Sequence, residues 1–88
     1  MYYVYVLHSA ASDRFYVGST DDLRVRLQTH NRGAVSSTMA YRPWELWYYE
    51  AHRTHALALA AERFYKTSVG RRHIKKKLGM VRRGVRVV

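Results

Sequence analysis

The chain has 88 residues, no cysteine and a formal net charge of +10. This length predicts one small domain with a thin core, and the missing cysteines exclude disulfides and thiolate zinc sites. No apolar run approaches membrane-spanning length and the N-terminus lacks a signal-peptide pattern, so we expect a soluble cytoplasmic protein.

The first half of the chain predicts a hairpin followed by a helix. Residues 2–8 and 14–18 are rich in β-branched and aromatic residues, as strands are, and residues 9–13 are typical of a turn. Thr20 predicts the start of a helix, with the two aspartates that follow it in the first turn. Gly33 predicts the end of this helix.

The second half predicts one more strand and two helices. Residues 44–51 are again rich in aromatic residues and follow a loop that ends at Pro43. Thr54 can cap a helix, and Gly70 is expected to separate it from a final basic helix ending near Gly79. The predicted order is β-β-α-β-α-α.

The positive charge is concentrated at the C-terminal end. Residues 1–70 contain 8 Lys and Arg and 6 Asp and Glu, whereas residues 71–88 contain 8 bases and no acid. Such a segment favours polyanions, with nucleic acid as the natural partner. A solvated tail is the alternative, and a membrane surface is disfavoured because the segment has no aromatic anchor. We expect a domain over residues 1–79 and a basic, flexible arm over residues 80–88.

The first predicted helix directs polar side chains toward the sheet. On a helical wheel, Leu23, Leu27 and His30 lie within roughly 60° of one another. Arg26 lies at the edge of this stripe, one turn before His30. A guanidinium and an imidazole are therefore expected to face the sheet. The alternative is an arginine that reaches solvent from the core edge beside a hydrogen-bonded histidine.

Two tyrosines are expected on one face of the hairpin. If the turn is centred between Ala10 and Ala11, Tyr5 lies directly across from Tyr16. Such a pair is also ordinary sheet packing. The helix polar groups make a shared surface of two phenols, an arginine and a histidine the more specific hypothesis.

An acidic residue, Glu62, lies on the flank of the otherwise apolar helix that begins at Thr54. An ion pair with Lys66, at spacing i and i+4, would explain it. The alternative is a carboxylate that holds one divalent cation at the tyrosine surface, since magnesium sites beside phosphate often use one or two carboxylates.

These residues together resemble a GIY-YIG nuclease domain in its small single-domain form. The first motif corresponds to residues 3–5 (Tyr-Val-Tyr) and the second to residues 16–18 (Tyr-Val-Gly). The stretch "DLRVRLQTHN" resembles the first helix of the family, and "AERFYKTSVGRRHIKK" resembles its acidic helix and continuation. The resemblance extends from about Tyr2 to Leu78.

This resemblance implies an α+β fold with a three-stranded antiparallel sheet flanked by helices. It also implies metal-dependent hydrolysis of phosphodiester bonds, in DNA rather than RNA, without a small-molecule cofactor. Tyr5 would act as general base helped by His30, with Tyr16 completing the phenol pair. Arg26 would stabilise charge on the phosphoryl oxygens, and Glu62 would bind one Mg²⁺ or Mn²⁺ ion.

Two features differ from the family pattern. Tyr3 stands where the first motif has glycine, and no asparagine follows the acidic helix, as it does in some members. The phosphate contact of this asparagine is assigned instead to Arg71, Arg72 or Lys75. The full set of expected nucleic-acid-binding residues is Arg42, Lys66, Arg71, Arg72 and Lys75.

Two other functions are compatible with the sequence. One is a non-catalytic module in which the same groove grips DNA or RNA phosphates. The other is an RNA-binding accessory protein in which Tyr41, Trp44 and Trp47 stack on bases. Core packing explains these three aromatic residues better. The complete set of two phenols, an arginine, a histidine and a carboxylate favours an enzyme.

Overall fold

A computed structural model describes residues 1–80 and 85–88 of the chain. Within this part, the elements are β1 (Tyr2–Ser9), β2 (Arg14–Thr20), α1 (Leu23–Asn31), β3 (Trp44–His52), α2 (His55–Tyr65), α3 (Ser68–Lys77) and β4 (Arg86–Val87), with a 3-10 turn (Met39–Tyr41) before β3. The strands form one sheet in the order β3-β1-β2-β4. None of the helices of the described part is long and apolar enough to cross a membrane.

The sheet is covered by helices on both faces, as the resemblance implied. On one face, α2 and α3 pack on the strands through Ala58, Tyr65 and Ile74. On the other face, α1 covers a second cluster that includes Tyr5 and Leu7. This division follows from strand alternation, which sends successive side chains of β1 to opposite faces. The mixed fold is confirmed, and the sheet has a fourth strand, β4, in addition to the three that were predicted.

The hairpin register differs from the sequence prediction. Leu7 lies across from Tyr16, and Tyr5 lies across from Gly18, so the predicted direct pairing of Tyr5 with Tyr16 is wrong. The turn is centred one residue later than predicted because Asp13 adopts the left-handed region, with φ of 50°. Aspartate tolerates this conformation better than most residues. The two tyrosines still share a face, as diagonal neighbours.

Side-chain caps set the helix boundaries. Asp22, rather than Thr20, caps α1, because its carboxylate accepts from the backbone N–H of Val25 at 3.1 Å. The two aspartates therefore precede the helix instead of forming its first turn. The predicted cap of α2 is confirmed, since the hydroxyl of Thr54 accepts from the backbone N–H of Leu57 at 3.1 Å.

The helices α2 and α3 meet at a glycine. Gly70 lies inside α3, not between the two helices, and Thr67 caps α3 by accepting from the N–H of Gly70 at 3.1 Å. A Cβ at Gly70 would lie only 1.9 Å from the carbonyl oxygen of Phe64. The glycine is therefore required for close approach to the end of α2, whereas the sequence alone predicts a helix break there.

The parts of the predicted C-terminal arm that the structure describes, residue 80 and residues 85–88, pack against the folded domain. Met80 and Val85 are buried in the cluster beneath α2 and α3, where the sequence predicted an arm outside the core. Strand β4 pairs in parallel with β2 at Arg14 and Phe15. Burial of apolar side chains and satisfaction of an open sheet edge explain why this segment packs. Residues 81–84, also part of the predicted arm, lie outside the described residues.

Candidate active site

Tyr5 lies at the centre of the site and is only 2 % exposed. Its ring crosses the neighbouring strand at Gly18, where a Cβ would come within 2.5 Å of the Tyr5 hydroxyl oxygen. Gly18 is therefore needed for the position of the phenol, since any side chain would displace it. The last residue of the second sequence motif thus positions the tyrosine of the first.

Helix α1 brings two side chains to this phenol. The Tyr5 hydroxyl lies 2.9 Å from Nε2 of His30, and Nε of Arg26 donates to the same oxygen at 3.3 Å. The spacing of i and i+4 places both groups on the sheet-facing side of the helix, as the helical wheel predicted. The structure therefore brings Tyr5, Arg26 and His30 together at one oxygen atom.

A third partner, Thr38, was not found from the sequence. Its buried hydroxyl lies 2.8 Å from Nδ1 of His30 and donates to the carbonyl of Val35 at 3.4 Å. The indole N–H of Trp44 donates to the Thr38 carbonyl at 3.0 Å and holds the loop in place. A threonine in a polar loop carries no sequence signal of this role, because the contact depends on how the loop folds back.

The electrostatics define the resting protonation states. Burial raises the pKa of Tyr5 to about 12, in spite of the opposing effect of Arg26. Burial, with a smaller contribution from Arg26, lowers the pKa of His30 to about 4. At neutral pH the phenol is therefore protonated and the imidazole is neutral. The Tyr5 O–H donates to Nε2 of His30, and the Nδ1–H donates to Thr38.

Tyr16 forms the outer wall of the site. Its ring centroid lies 5.0 Å from that of His30 and 6.3 Å from that of Tyr5. The hydrogen bond to Tyr5 is the main reason that the pKa of Arg26 is raised, and Tyr16 contributes to the same shift. The guanidinium therefore interacts with both phenols and stays charged.

Glu62 reaches the site from α2 and contacts Ser19 near the C-terminal end of β2. Its Oε1 accepts from the hydroxyl of Ser19 at 2.6 Å, and its Oε2 accepts from Nζ of Lys66 at 2.7 Å. Burial raises the pKa of this carboxyl, but the hydrogen bonds from Lys66 and Ser19 outweigh burial and the net pKa is lowered. The carboxylate is ionised, and its charge acts on Tyr5. Glu62 therefore forms the predicted ion pair, and its charge also reaches Tyr5.

The donor set fits a cation held mainly by phosphate and water. Among the described residues, no group of three or more histidine, aspartate and glutamate side chains is placed to hold a metal. The Glu62 carboxylate and the Ser19 hydroxyl are hard oxygen donors of the kind that Mg²⁺ prefers, and one carboxylate is sufficient beside a phosphate. The ammonium group of Lys66 donates to one oxygen of this carboxylate, so the carboxylate already binds a positive charge.

Of the predicted phosphate-binding residues, the structure places one in the site and the others elsewhere. The Nζ of Lys66 lies 5.6 Å from the ring centroid of Tyr16, within the site. Arg42 instead stabilises its own loop, donating to the carbonyl of Met39 at 2.8 Å. The other three candidates lie on α3, across the sheet from α1. Within the described part of the chain they make no contact with the phenols. These residues are Arg71, Arg72 and Lys75.

The aromatic residues proposed as RNA-stacking faces have other partners. Trp44 is 2 % exposed and belongs to the core beneath α1. The guanidinium of Arg14 lies over the ring of Tyr41 at 4.7 Å. Trp47 stacks on His8, with ring centroids 3.8 Å apart. Core packing is therefore confirmed for Trp44, and Trp47 and Tyr41 are partly buried and pack against the core clusters.

The sequence of the whole folded unit matches a known family. The family model described as the GIY-YIG catalytic domain matches residues 1–77. The chain belongs to the GIY-YIG family. This assignment places it in a nuclease family whose substrate is nucleic acid, and the matched region contains all the residues that meet at Tyr5.

Its relatives are small GIY-YIG proteins named UPF0213. One, from Bacillus pumilus strain SAFR-032, is 43 % identical over 67 residues, which cover 75 % of this chain and 67 % of the relative. Another, from Streptococcus pyogenes serotype M5, is 42 % identical over 65 residues, covering 73 % and 70 %. The name of these relatives specifies no reaction, so a functional assignment depends on the local geometry.

Proposed function

We propose that this GIY-YIG protein is a metal-dependent endonuclease that hydrolyses phosphodiester bonds in DNA. The observation that carries the proposal is the position of the Tyr5 hydroxyl oxygen, in contact with both Nε2 of His30 and Nε of Arg26. This oxygen has a proton acceptor on one side and a fixed positive charge on the other. Such an arrangement suits activation of water beside a phosphate.

Tyr5 and His30 would act as a proton relay in which both protons move together. A water molecule donates its proton to the Tyr5 oxygen while the phenol passes its own proton to Nε2 of His30. The relay avoids a free phenolate, which would be costly at a group with a pKa of about 12. Burial is the main cause of the lowered pKa of His30, and the charge of Arg26 adds to it. Phosphate bound at Arg26 would offset this second contribution and so would help the imidazole to accept the proton.

Arg26 would hold the phosphoryl group. Its Nε is used by Tyr5, which leaves the two terminal nitrogens of the guanidinium for non-bridging phosphate oxygens. A charge fixed in this way costs no reorganisation as negative charge develops in the transition state. Tyr16 would line the same face and orient the attacking water or the phosphate.

Glu62 would hold the divalent ion, Mg²⁺ or Mn²⁺, with Ser19 keeping the carboxylate oriented. When bound, the ion supplies charge neutralisation at the phosphoryl and leaving-group oxygens. Lys66 would exchange its contact with Glu62 for a contact with substrate phosphate. Arg42, Arg71, Arg72 and Lys75 would bind phosphates of the DNA farther from the cleaved bond. The net charge of +10 favours such contacts.

The direct test is incubation of the purified protein with supercoiled plasmid and Mg²⁺ or Mn²⁺, with a chelator control. We expect nicked and linear products only when the metal is present. A panel of duplex, flap, fork and single-stranded substrates then defines the preferred DNA structure. Absence of cleavage on every substrate with either metal would exclude the proposed reaction.

A non-catalytic DNA-binding module is the second candidate. Two observations favour it: the pKa of Tyr5 is raised rather than lowered, and Lys66 neutralises the carboxylate assigned to the metal. A binding module would retain affinity for DNA without metal and would produce no nicks. Binding and cleavage measured on the same substrate therefore separate the two functions.

A further inference from the structure

A pocket lies beside the proposed metal carboxylate, between the end of β2 and the first turns of α2. Its volume is about 310 Å³. The residues that line it, here called the Asp21 pocket, are Tyr2, Ser19, Thr20, Asp21, His55 and Ala58. Ser19 also donates to Glu62 at 2.6 Å, and Ala58 precedes Glu62 by one helical turn. A ligand in this pocket would therefore lie beside Glu62, on the face of the sheet that α2 covers.

The volume and the aromatic lining of the pocket suit a flat ring. A volume of about 310 Å³ lies at the lower limit for small-ligand pockets, which excludes large ligands. The rings of Tyr2 and His55, which both line the pocket, stack on each other, with centroids 5.3 Å apart and planes inclined by 30°. Aromatic and apolar surfaces of this kind provide stacking faces for nucleobases.

The polar groups of the pocket specify hydrogen-bond donors on the ligand. The Thr20 hydroxyl is used within the turn, where it accepts from the N–H of Asp22 at 3.1 Å. Ser19 is used by Glu62. The carboxylate of Asp21 is exposed to solvent at the pocket, and it forms no hydrogen bond or ion pair within residues 1–80 and 85–88. An ionised carboxylate only accepts hydrogen bonds, so the ligand must present N–H groups to it.

Charge distinguishes a nucleobase from the other ligands with N–H groups. A carboxylate without a bound metal ion repels phosphate, so the phosphate of a bound nucleotide would remain at Arg26 and at the ion that Glu62 would hold. Free cationic amines are disfavoured near a protein with a net charge of +10. A neutral base attached to a polyanion satisfies both conditions. Guanine fits best, because its ring N–H and exocyclic amino group are adjacent and can engage both oxygens of one carboxylate.

We propose that the Asp21 pocket binds one unpaired guanine of the substrate, next to the phosphate that is cleaved. This inference rests on the proposed nuclease function and deepens it by naming the substrate class. Because Asp21 takes the edge of guanine that pairs with cytosine in a duplex, the base must be single-stranded or extruded from the helix. The protein would therefore select unpaired nucleotides rather than intact duplex.

The test begins with the bases that flank the cuts made in a random-sequence single-stranded oligonucleotide. We expect guanine to be enriched at one fixed position relative to the cut. Replacing that guanine by hypoxanthine, which lacks the amino group, should slow cleavage about 10-fold or more. The substitution Asp21→Asn should abolish the preference. The matched control Glu45→Gln removes the same charge from an exposed position of β3 and should keep it.

Two further measurements separate failure of the pocket from failure of the reaction. Bis(4-nitrophenyl) phosphate has no base, so the parent and Asp21→Asn proteins should hydrolyse it equally with Mn²⁺. Hydrolysis of this compound without any base preference in oligonucleotides would overturn the pocket alone. If no phosphodiester is cleaved, the protein is titrated with dGMP and followed by amide NMR. Shifts of the Ser19 and Asp21 amide signals would support the pocket. Unchanged signals at millimolar dGMP would overturn it.

Discussion

The Tyr5 hydroxyl and Nε2 of His30 lie 2.9 Å apart, and both side chains are almost completely buried. Their pKa values move in opposite directions, to about 12 and about 4, so the resting pair is a neutral phenol and a neutral imidazole. A buried neutral pair costs less than a buried ion pair, which explains how the site is stable before substrate binds. Arg26 already supplies a fixed positive charge at the same oxygen, and further charge is introduced only when phosphate and a cation arrive.

Removal of one hydroxyl tests the relay. Tyr5→Phe keeps the ring over Gly18 and should lower cleavage by roughly 10²-fold, the scale of a lost general base. The free energy of unfolding should fall by only about 1 kcal/mol, because one hydrogen bond is removed. Tyr48→Phe, which removes a bonded hydroxyl on the other face of the sheet, is the matched control. A Tyr5→Phe protein that cuts at the parental rate would place the base elsewhere, and Tyr16→Phe is then the next variant.

The charge of Glu62 can be removed without changing its size. Glu62→Gln should abolish metal-dependent cleavage, because a hard cation needs the carboxylate. DNA binding without metal should persist or tighten, since one negative charge leaves the phosphate site. If Glu62 serves only as the partner of Lys66, the variant will instead lose less than about 0.5 kcal/mol of stability and cleave normally. Unchanged magnesium dependence in plasmid nicking would establish that structural role.

Thr38 is expected to act as a positioning residue through the imidazole. Thr38→Val preserves shape and removes the partner of Nδ1, so either tautomer of His30 becomes accessible. Cleavage should fall about 10-fold or more, and the pH profile of kcat should shift. Thr38→Ser retains the hydroxyl and should restore both. A purely structural role predicts lower thermal stability with an unchanged pH profile.

Burial of His30 makes stability depend on pH. The unfolded chain binds a proton at His30 near pH 6.5, whereas the folded protein does so near pH 4. The unfolded state therefore binds more protons between these values, and stability rises with pH across this window and is lost as pH falls through it. The full effect is up to about 3 kcal/mol. Urea unfolding of the parent and His30→Gln proteins from pH 4 to 7 measures it; equal slopes would contradict the assignment.

Deletion of the C-terminal segment should unfold the protein rather than only weaken DNA binding. Truncation after Leu78 removes Met80 and Val85 from the core, and each buried side chain of this size contributes about 2 kcal/mol or more. Thermal unfolding should show this destabilisation.

The phosphate interactions of the basic region are better tested in the full chain, with Arg71→Gln and Arg72→Gln. Each arginine that binds a DNA phosphate releases counterions on binding, so its replacement should flatten the slope of log affinity against log salt by up to about 0.9. An unchanged slope would show that the replaced arginine does not bind phosphate.

Local sequence periodicity determined which side chains share a surface. The 3.6-residue repeat of α1 places Arg26 and His30 on the side of the sheet, and strand alternation places Tyr5 and Tyr16 on one face. The order of these residues, together with Glu62, was sufficient to identify the GIY-YIG family. The cap of α2 and the mixed fold also follow from short-range patterns.

The tertiary structure decided the contacts between residues that are distant in sequence. Whether Tyr5 faces Gly18 or Tyr16 depends on the left-handed backbone of Asp13, a choice that alternation leaves open. The approach of Thr38 to His30, the Ser19 contact of Glu62 and the parallel pairing of β4 with β2 have no local signal. Each is favoured only after the chain has closed a loop and buried its apolar faces, so its energy is realised in the complete fold and not in any isolated segment.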